Sequence, residues 1–247
     1  MTGAPSHTEK SHTKCSHQVR SHKAESFQQG LVKTHSDELR LSGILLAGGR
    51  SSRMGQDKCF IQLPHTDKLM VEHAVDLMLK HCFELVIVTN ELERMKQLNF
   101  GSSVRLCSDL IEHEGPLGAL ASAAPLLSGE WCLVRAVDMP YLSDAFIELM
   151  NASTRRQIGT QGYPDLVLPL TEFGAEPLSA YYKVESLKRC APLVFKQGRR
   201  RVLSLCEHMT TLELKCEELK EIDPQLKNFD NINYEYQLEK LRLLDEA

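Results

Sequence analysis

Leu45-Leu46-Ala47-Gly48-Gly49-Arg50-Ser51-Ser52-Arg53-Met54-Gly55-Gln56-Asp57-Lys58 carries an apolar run straight into glycines and then into clustered cations. Glycine leaves the main-chain N–H groups bare, because no Cβ stands between the backbone and a ligand, and such a turn can cradle phosphate oxygens. Arg50, Arg53 and Lys58 lie close enough in sequence to neutralise the charge of a polyphosphate in a partly desolvated cleft. The spacing is neither G-x-x-x-x-G-K-[ST] nor G-x-G-x-x-G, so a P-loop ATPase and a dinucleotide-binding dehydrogenase are both disfavoured. The bland alternative is a plain strand–loop connection with solvated cations.

Other polar residues end apolar runs. Asp138 follows Cys132-Leu133-Val134-Arg135-Ala136-Val137 and precedes Pro140, so its carboxylate is expected at a sheet edge. A hard oxygen ligand there suits Mg²⁺ completed by waters and phosphates, the alternative being a turn or cap residue. Asp109 follows Val104-Arg105-Leu106, and as an acceptor it could take the N–H groups of a guanine edge or bind a ribose hydroxyl. Asn90 closes Val86-Ile87-Val88-Thr89 and reads equally as a ligand contact, a loop residue or a helix cap. Gly115 opens Gly115-Pro116-Leu117-Gly118-Ala119, where the free N–H groups of a helix start can approach an anion. Gly198-Arg199-Arg200-Arg201 is a cationic cluster that either grips a phosphate or forms a solvated face.

The elements that must position these groups alternate. Ser42 to Leu46 reads as a buried strand, Lys68 to His81 as an amphipathic helix and Leu85 to Val88 as a second strand. A helix at Glu91 to Leu98, a strand at Val104 to Leu106, a helix at Leu117 to Leu127 and a strand at Trp131 to Val137 follow. Ser143 is placed to cap a helix carrying Phe146, Ile147 and Met150. The pattern predicts a three-layer α/β/α sandwich around a mostly parallel sheet. Leu166 to Leu170 and Leu178 to Tyr182, joined by a connection rich in Glu, Gly and Pro, add an expected antiparallel edge. Helices at Val184 to Phe195 and Arg201 to His208, a strand at Thr211 to Leu214 and a closing helix from Tyr234 complete the reading. Ligands of open α/β sheets collect at the carboxyl ends of strands, where Gly48, Asn90, Asp109 and Asp138 all fall.

The 247 residues, 42% of them hydrophobic, suffice for one good core, with residues 41–247 as the expected domain and residues 1–40 as a polar tail. A net charge of −4 without a basic stripe argues against nucleic acid as partner. The eight cysteines show no C-x-x-C pair and no signal peptide precedes them, so neither a zinc knuckle nor a secreted disulfide framework is indicated. No apolar run approaches the ~20 residues that span a bilayer, which makes a soluble cytoplasmic enzyme the expectation. The tail repeats Ser-His at Ser6-His7, Ser11-His12, Ser16-His17 and Ser21-His22. Five residues advance a helix by about 140° net, so no regular element lines up the imidazoles, and disorder is expected over metal binding.

The glycine loop resembles the L-A-G-G-x-S-x-R-M-G-x-D-K pattern of the molybdenum cofactor guanylyltransferases, a branch of the nucleoside-triphosphate transferases, and the likeness continues through Asp109, Gly115-Pro116-Leu117, Asp138-Met139-Pro140 and Asn231-Ile232-Asn233. It does not extend over the first forty residues. The resemblance implies a Rossmann-like fold and nucleotide contacts from Leu46, Ala47, Gly48, Gly49, Lys58, Asn90, Asp109, Gly115 and Asp138. It makes Lys58, Asp138 and Arg53 the catalytic set, with Asp138 on Mg²⁺. Arg199, Arg200, Asn231 and Asn233 would serve the pterin side, Asn233 doubling as a helix cap. Family members commonly read G-P-L-A-G where this chain has Gly115-Pro116-Leu117-Gly118-Ala119, which puts in question any contact from the displaced glycine. The implied reaction moves GMP from GTP to the terminal phosphate of Mo-molybdopterin and releases pyrophosphate; transient contact with other cofactor-biosynthesis proteins or apo-molybdoenzymes would follow. Alternatives are CTP on the same pterin, another nucleotide on a sugar or alcohol phosphate, or a non-enzymatic cofactor carrier or metal-binding module.

Overall fold

The computed structural model describes residues 39–48, 57–64, 66–108, 115–234 and 237. The His-repeat tail and the closing helix expected after Tyr234 therefore lie outside the described residues, apart from Gln237.

In chain order the elements are β1 (Leu41–Leu46), α1 (Met70–Leu79), β2 (Glu84–Val88), α2 (Leu92–Met95), β3 (Val104–Cys107), α3 (Pro116–Ala123), β4 (Trp131–Ala136), α4 (Asp144–Ser153), β5 (Leu166–Thr171), β6 (Gly174–Ala175), β7 (Ser179–Lys183), α5 (Val184–Lys196), β8 (Thr211–Leu214) and α6 (Cys216–Ile222). They form one sheet in the order β3-β2-β1-β4-β7-β5-β6, with β8 also paired to β5. β1 runs parallel to β2 and β4, and β2 parallel to β3, so four strands present their carboxyl ends along one edge. The expected antiparallel pairing extends further inward than an edge. β7 is antiparallel to both β4 and β5, and it sits between them with Ser179 to Tyr182 buried.

Alternation along the strands divides the core between the two faces of the sheet. Leu41 and Leu45 of β1 and Trp131 and Leu133 of β4 pack with Met70, Val71, Val75 and Met78 of α1 and with Phe146 and Met150 of α4. Ile44, Leu46, Cys132 and Val134 face the other way, onto Leu117 and Leu120 of α3 and Leu187 and Val194 of α5. Each such side chain contributes about 1.5–3 kcal/mol on full burial, which is what clamps helices to both faces. The N-terminus of α4 forms as expected, with Ser143 Oγ accepting from Phe146 N at 3.2 Å.

Local departures from the expected elements have local causes. α2 is a single turn, because Met95 is its only buried residue and nothing else holds more of it to the sheet. The segment expected as a helix at Arg201 to His208 is a 3-10 run, Val202–Glu207. α6 was not anticipated: Cys-Glu-Glu-Leu-Lys-Glu-Ile buries only Leu219, too little apolar periodicity to register.

Candidate active site

Three main-chain bonds continue the ladder past the strand ends and aim the polar residues. Ala47 N donates to Val88 O at 2.9 Å, Val137 N to Leu46 O at 3.0 Å and Thr89 N to Cys107 O at 2.9 Å. Gly48, Asn90 and Asp138 are the next residues along, and together they border a cleft of about 970 Å³. Leu46, Ala47, Lys58, Gly115, Asn231 and Asn233 line the same cleft, so most of the expected site converges in one place. Gly49, Arg53 and Asp109 lie outside the described residues.

Lys58 is the centre of the arrangement. It begins a 3-10 turn, Lys58–Phe60, whose cap is Asp57, with Asp57 Oδ1 accepting from Cys59 N at 3.0 Å. Cys59 is buried and its Sγ donates to Ala47 O at 3.2 Å, which ties the end of the glycine loop back to its beginning. Burial first, and then the neighbouring Asp57 and Asp138, push the Cys59 thiol far above its ordinary range, which keeps it protonated at neutral pH. From this anchor Lys58 Nζ donates to Asp138 Oδ2 at 2.8 Å and to Asn233 Oδ1 at 2.7 Å. The ammonium and carboxylate keep only 16% and 21% of their side-chain exposure, enough burial for the pair to be electrostatically significant.

Asn233 reaches Lys58 because its segment is stitched to the strand end. Ile232 N donates to Asp138 O at 2.8 Å, and Ile232 is a core residue at 3% exposure. Its neighbours Asn231 and Asn233 both line the cleft, as extended alternation requires. Asn233 N also donates to Gln237 Oε1 at 2.6 Å.

Arg135 escaped the sequence reading of site residues, although a cation inside Cys132-Leu133-Val134-Arg135-Ala136-Val137 is a signal. It is 2% exposed, and its guanidinium donates to Asn228 O at 2.9 Å, to Met139 O at 3.3 Å, to Tyr141 O and to Ser179 Oγ. One buried cation thus joins the turn after Asp138, the segment leading to Asn231 and the start of β7. Burial lowers its pKa to about 10, while Asp138 and Glu176 act in the opposite sense, and it stays charged at neutral pH. Across the turn, His73 Nε2 lies 2.9 Å from Pro140 O; a carbonyl can only accept, so this nitrogen carries the proton. Glu176 also lines the cleft, and its polar surroundings in sequence gave no hint of this.

Gly115 caps α3 with φ of +86°, a left-handed conformation in which a Cβ is strained, and Pro116 occupies the first helical position. Gly48 differs. A Cβ there would find nothing nearer than Val88 O at 4.0 Å, so packing does not demand glycine, whereas a ligand approaching the backbone would. Ala119 presents its side chain to the cleft at the place where the resemblance leads one to expect glycine.

The arginine cluster is not part of this lining. Arg199 pairs with Glu207, and Arg200 stacks on the Phe195 ring at 4.4 Å while donating to Phe195 O at 3.2 Å. Their partners are local, Glu207 of the following 3-10 turn and Phe195 near the end of α5, and the expected pterin-side role of these arginines rests on the resemblance alone. The main chain of Arg200 approaches the site, its carbonyl lying 3.6 Å from where a Gly115 Cβ would stand. Among the described residues no group of three or more His, Cys, Asp or Glu is arranged to hold a metal, and no helix is long and apolar enough to cross a membrane.

A mostly parallel sheet flanked by helices, with Gly48 and a lysine–carboxylate pair at its carboxyl edge, defines an α/β protein of the nucleotidyltransferase class. The chain belongs to the MobA-like NTP transferase family, whose domain model matches residues 43–212. It is 31% identical over 192 residues to a probable molybdenum cofactor guanylyltransferase of Peptoclostridium acidaminophilum, covering 78% of this chain and 84% of the relative. A molybdenum cofactor guanylyltransferase of Desulfosudis oleivorans is 29% identical, over 81% of this chain and 93% of the relative. Among solved structures, molybdopterin-guanine dinucleotide biosynthesis protein A from Archaeoglobus fulgidus superposes with a TM-score of 0.66 at 23% identity, covering 83% of this chain and all of that one, a likeness of fold.

Proposed function

We propose that this enzyme transfers GMP from GTP to the terminal phosphate of Mo-molybdopterin, giving the guanine dinucleotide cofactor and pyrophosphate. The names of the relatives support the substrates, and the observation that carries the chemistry is Lys58 poised between Asp138 and Asn233 inside the cleft.

The acceptor is a phosphate monoester with a second pKa of about 6, so its attacking oxygen is already ionised at neutral pH and needs no general base. What remains is to neutralise charge and align the in-line displacement at the α-phosphorus. Lys58 exchanges part of its contact with Asp138 for phosphate oxygens as the triphosphate enters. The amides around Gly48 and Gly49 cradle those phosphates, and Arg53 adds a second cation. Asn90, Asp109 and Gly115 hold the nucleoside. Asp138 is a partly exposed, hard, single carboxylate, which fits Mg²⁺ completed by phosphates and waters rather than by a protein cage. When bound there, Mg²⁺ supplies further neutralisation of the two anions. Asn231 and Asn233 face the acceptor. The reaction is placed in the cytoplasm, with cofactor-biosynthesis proteins or apo-molybdoenzymes as transient recipients of the product.

Pyrophosphate release from GTP, CTP and ATP in the presence of Mo-molybdopterin and magnesium tests the reading. Turnover with GTP is expected; strict dependence on CTP overturns the choice of base, and no turnover with any nucleotide overturns the activity.

A further inference from the structure

The hairpin arm that returns from β5 does not stay in register. Leu170 faces Ala175 but Leu166 faces Tyr182, so the return arm is three residues longer than the stretch of β5 it covers. The surplus, Glu176-Pro177-Leu178, leaves the ladder between β6 and β7 and lines the cleft. It is held firmly there. Glu176 N donates to Pro169 O at 2.9 Å, Ser179 N to Glu176 O at 3.0 Å and Tyr182 Oη to Pro177 O at 2.8 Å. Breaks of this kind re-aim a side chain next to a site.

The side chain so aimed is a carboxylate with an unfilled appetite for donors. Glu176 Oε1 accepts from Thr171 Oγ1 at 3.3 Å, a long bond, and no ion pair among the described residues includes Glu176. Burial raises its carboxyl above the ordinary range, with Thr171 and Arg135 pulling the other way. Its place in the strand order is equally informative. Gly48 and Asn90 follow β1 and β2, Asp138 follows β4, and Glu176 leads into β7 on the far side of β4. Glu176 therefore lies across Asp138 from Gly48 and Asn90, on the side that the proposed function leaves to the acceptor.

We propose that Glu176 is a specificity residue that accepts the paired N–H groups of the acceptor's pterin ring. This deepens the proposed function and rests on molybdopterin being the acceptor. An aminopyrimidinone edge offers a ring N–H beside an exocyclic NH₂, and a carboxylate matches both with its two oxygens. Guanine carries the same edge, so the experiment must separate the two ligands.

Metal-free molybdopterin binding, followed by pterin fluorescence, and GTP–magnesium binding, followed by calorimetry, are to be compared in the wild-type enzyme, Glu176→Gln and Glu176→Asp. Glu176→Gln keeps the shape but turns one acceptor into a donor, and it should weaken molybdopterin binding by about ten- to a hundredfold. GTP binding and the melting temperature should stay at wild-type values, with Glu176→Asp recovering part of the loss. Weaker GTP binding with unchanged molybdopterin binding would place the residue on the base and overturn the assignment. Unchanged binding of both ligands would do the same. A lowered melting temperature with equal loss of both ligands would make Glu176 a counter-ion of Arg135. Wild-type enzyme that binds GTP but not molybdopterin would instead sink the acceptor's identity, a result recognisable before any variant is made.

Discussion

Lys58 and Arg135 show two different uses of a cation in one site. Lys58 is exchangeable under the proposed function: its contacts with Asp138 and Asn233 are made by side chains at a cleft, where an entering triphosphate would compete for them. Replacing Lys58 by Ala should lower kcat/KM for GTP by about 100- to 1000-fold, the scale of losing one preorganised electrostatic contact to the reacting group, with little change in melting temperature. Arg135 is fixed, since it satisfies the carbonyls of Asn228, Met139 and Tyr141 in the interior. Arg135→Met should leave those oxygens without their donor and destabilise the protein by about 3–5 kcal/mol in denaturant titration. Activity near that of wild type with a large stability loss would show that the turn after Asp138 holds its shape alone. The difference between the two residues was half legible beforehand. A lysine after a glycine loop announces an anion site, but an arginine within an apolar strand signals only that it has buried partners. Which carbonyls those are depends on Asn228, far along the chain.

At the level of elements, the site edge of the sheet is set by parallel pairing, and its opposite edge is held by Glu84. This carboxylate accepts from Ser42 Oγ at 2.6 Å, from Ser128 N at 2.6 Å and from Arg105, joining the starts of β1, β2 and β4 to the β3 edge. Burial alone would raise its pKa, but the bonds from Ser42 and Ser128 and the charge of Arg105 outweigh it and the net shift is downward. A carboxyl whose folded pKa is depressed adds stability that is present above the unfolded value of about 4.3 and disappears as pH falls through the folded value. Thermal melting between pH 7 and 3 should therefore show a loss of stability on the acid side that is shallower in Glu84→Gln. Equal slopes would remove Glu84 from that role. Among the elements themselves, β1, β2, β4, α1 and α5 were visible because each carries a long apolar stripe. The 3-10 form of Val202–Glu207 and the existence of α6 were not, because so few of their residues meet the core.

On the scale of the whole molecule, the cleft is a convergence of segments far apart in sequence, so a nucleotide bound there should stabilise the folded chain as a unit. GTP at about 100 times its Kd adds about 2.7 kcal/mol by binding linkage. For a domain of this size each kcal/mol raises the melting temperature by about 2–4 °C. A melting shift with GTP and magnesium that exceeds those with CTP and ATP is expected, and equal shifts would detach base preference from this cleft. The sequence by itself determined the layered α/β plan and the residues at the strand ends, because apolar periodicity and glycine placement are local properties of a chain. Only the tertiary structure decided that Asn233 meets Lys58, that Arg135 braces three segments and that Glu176 lines the cleft while Arg199 pairs with Glu207. Those outcomes depend on strand order and on a three-residue slip in one hairpin, quantities that no local pattern encodes.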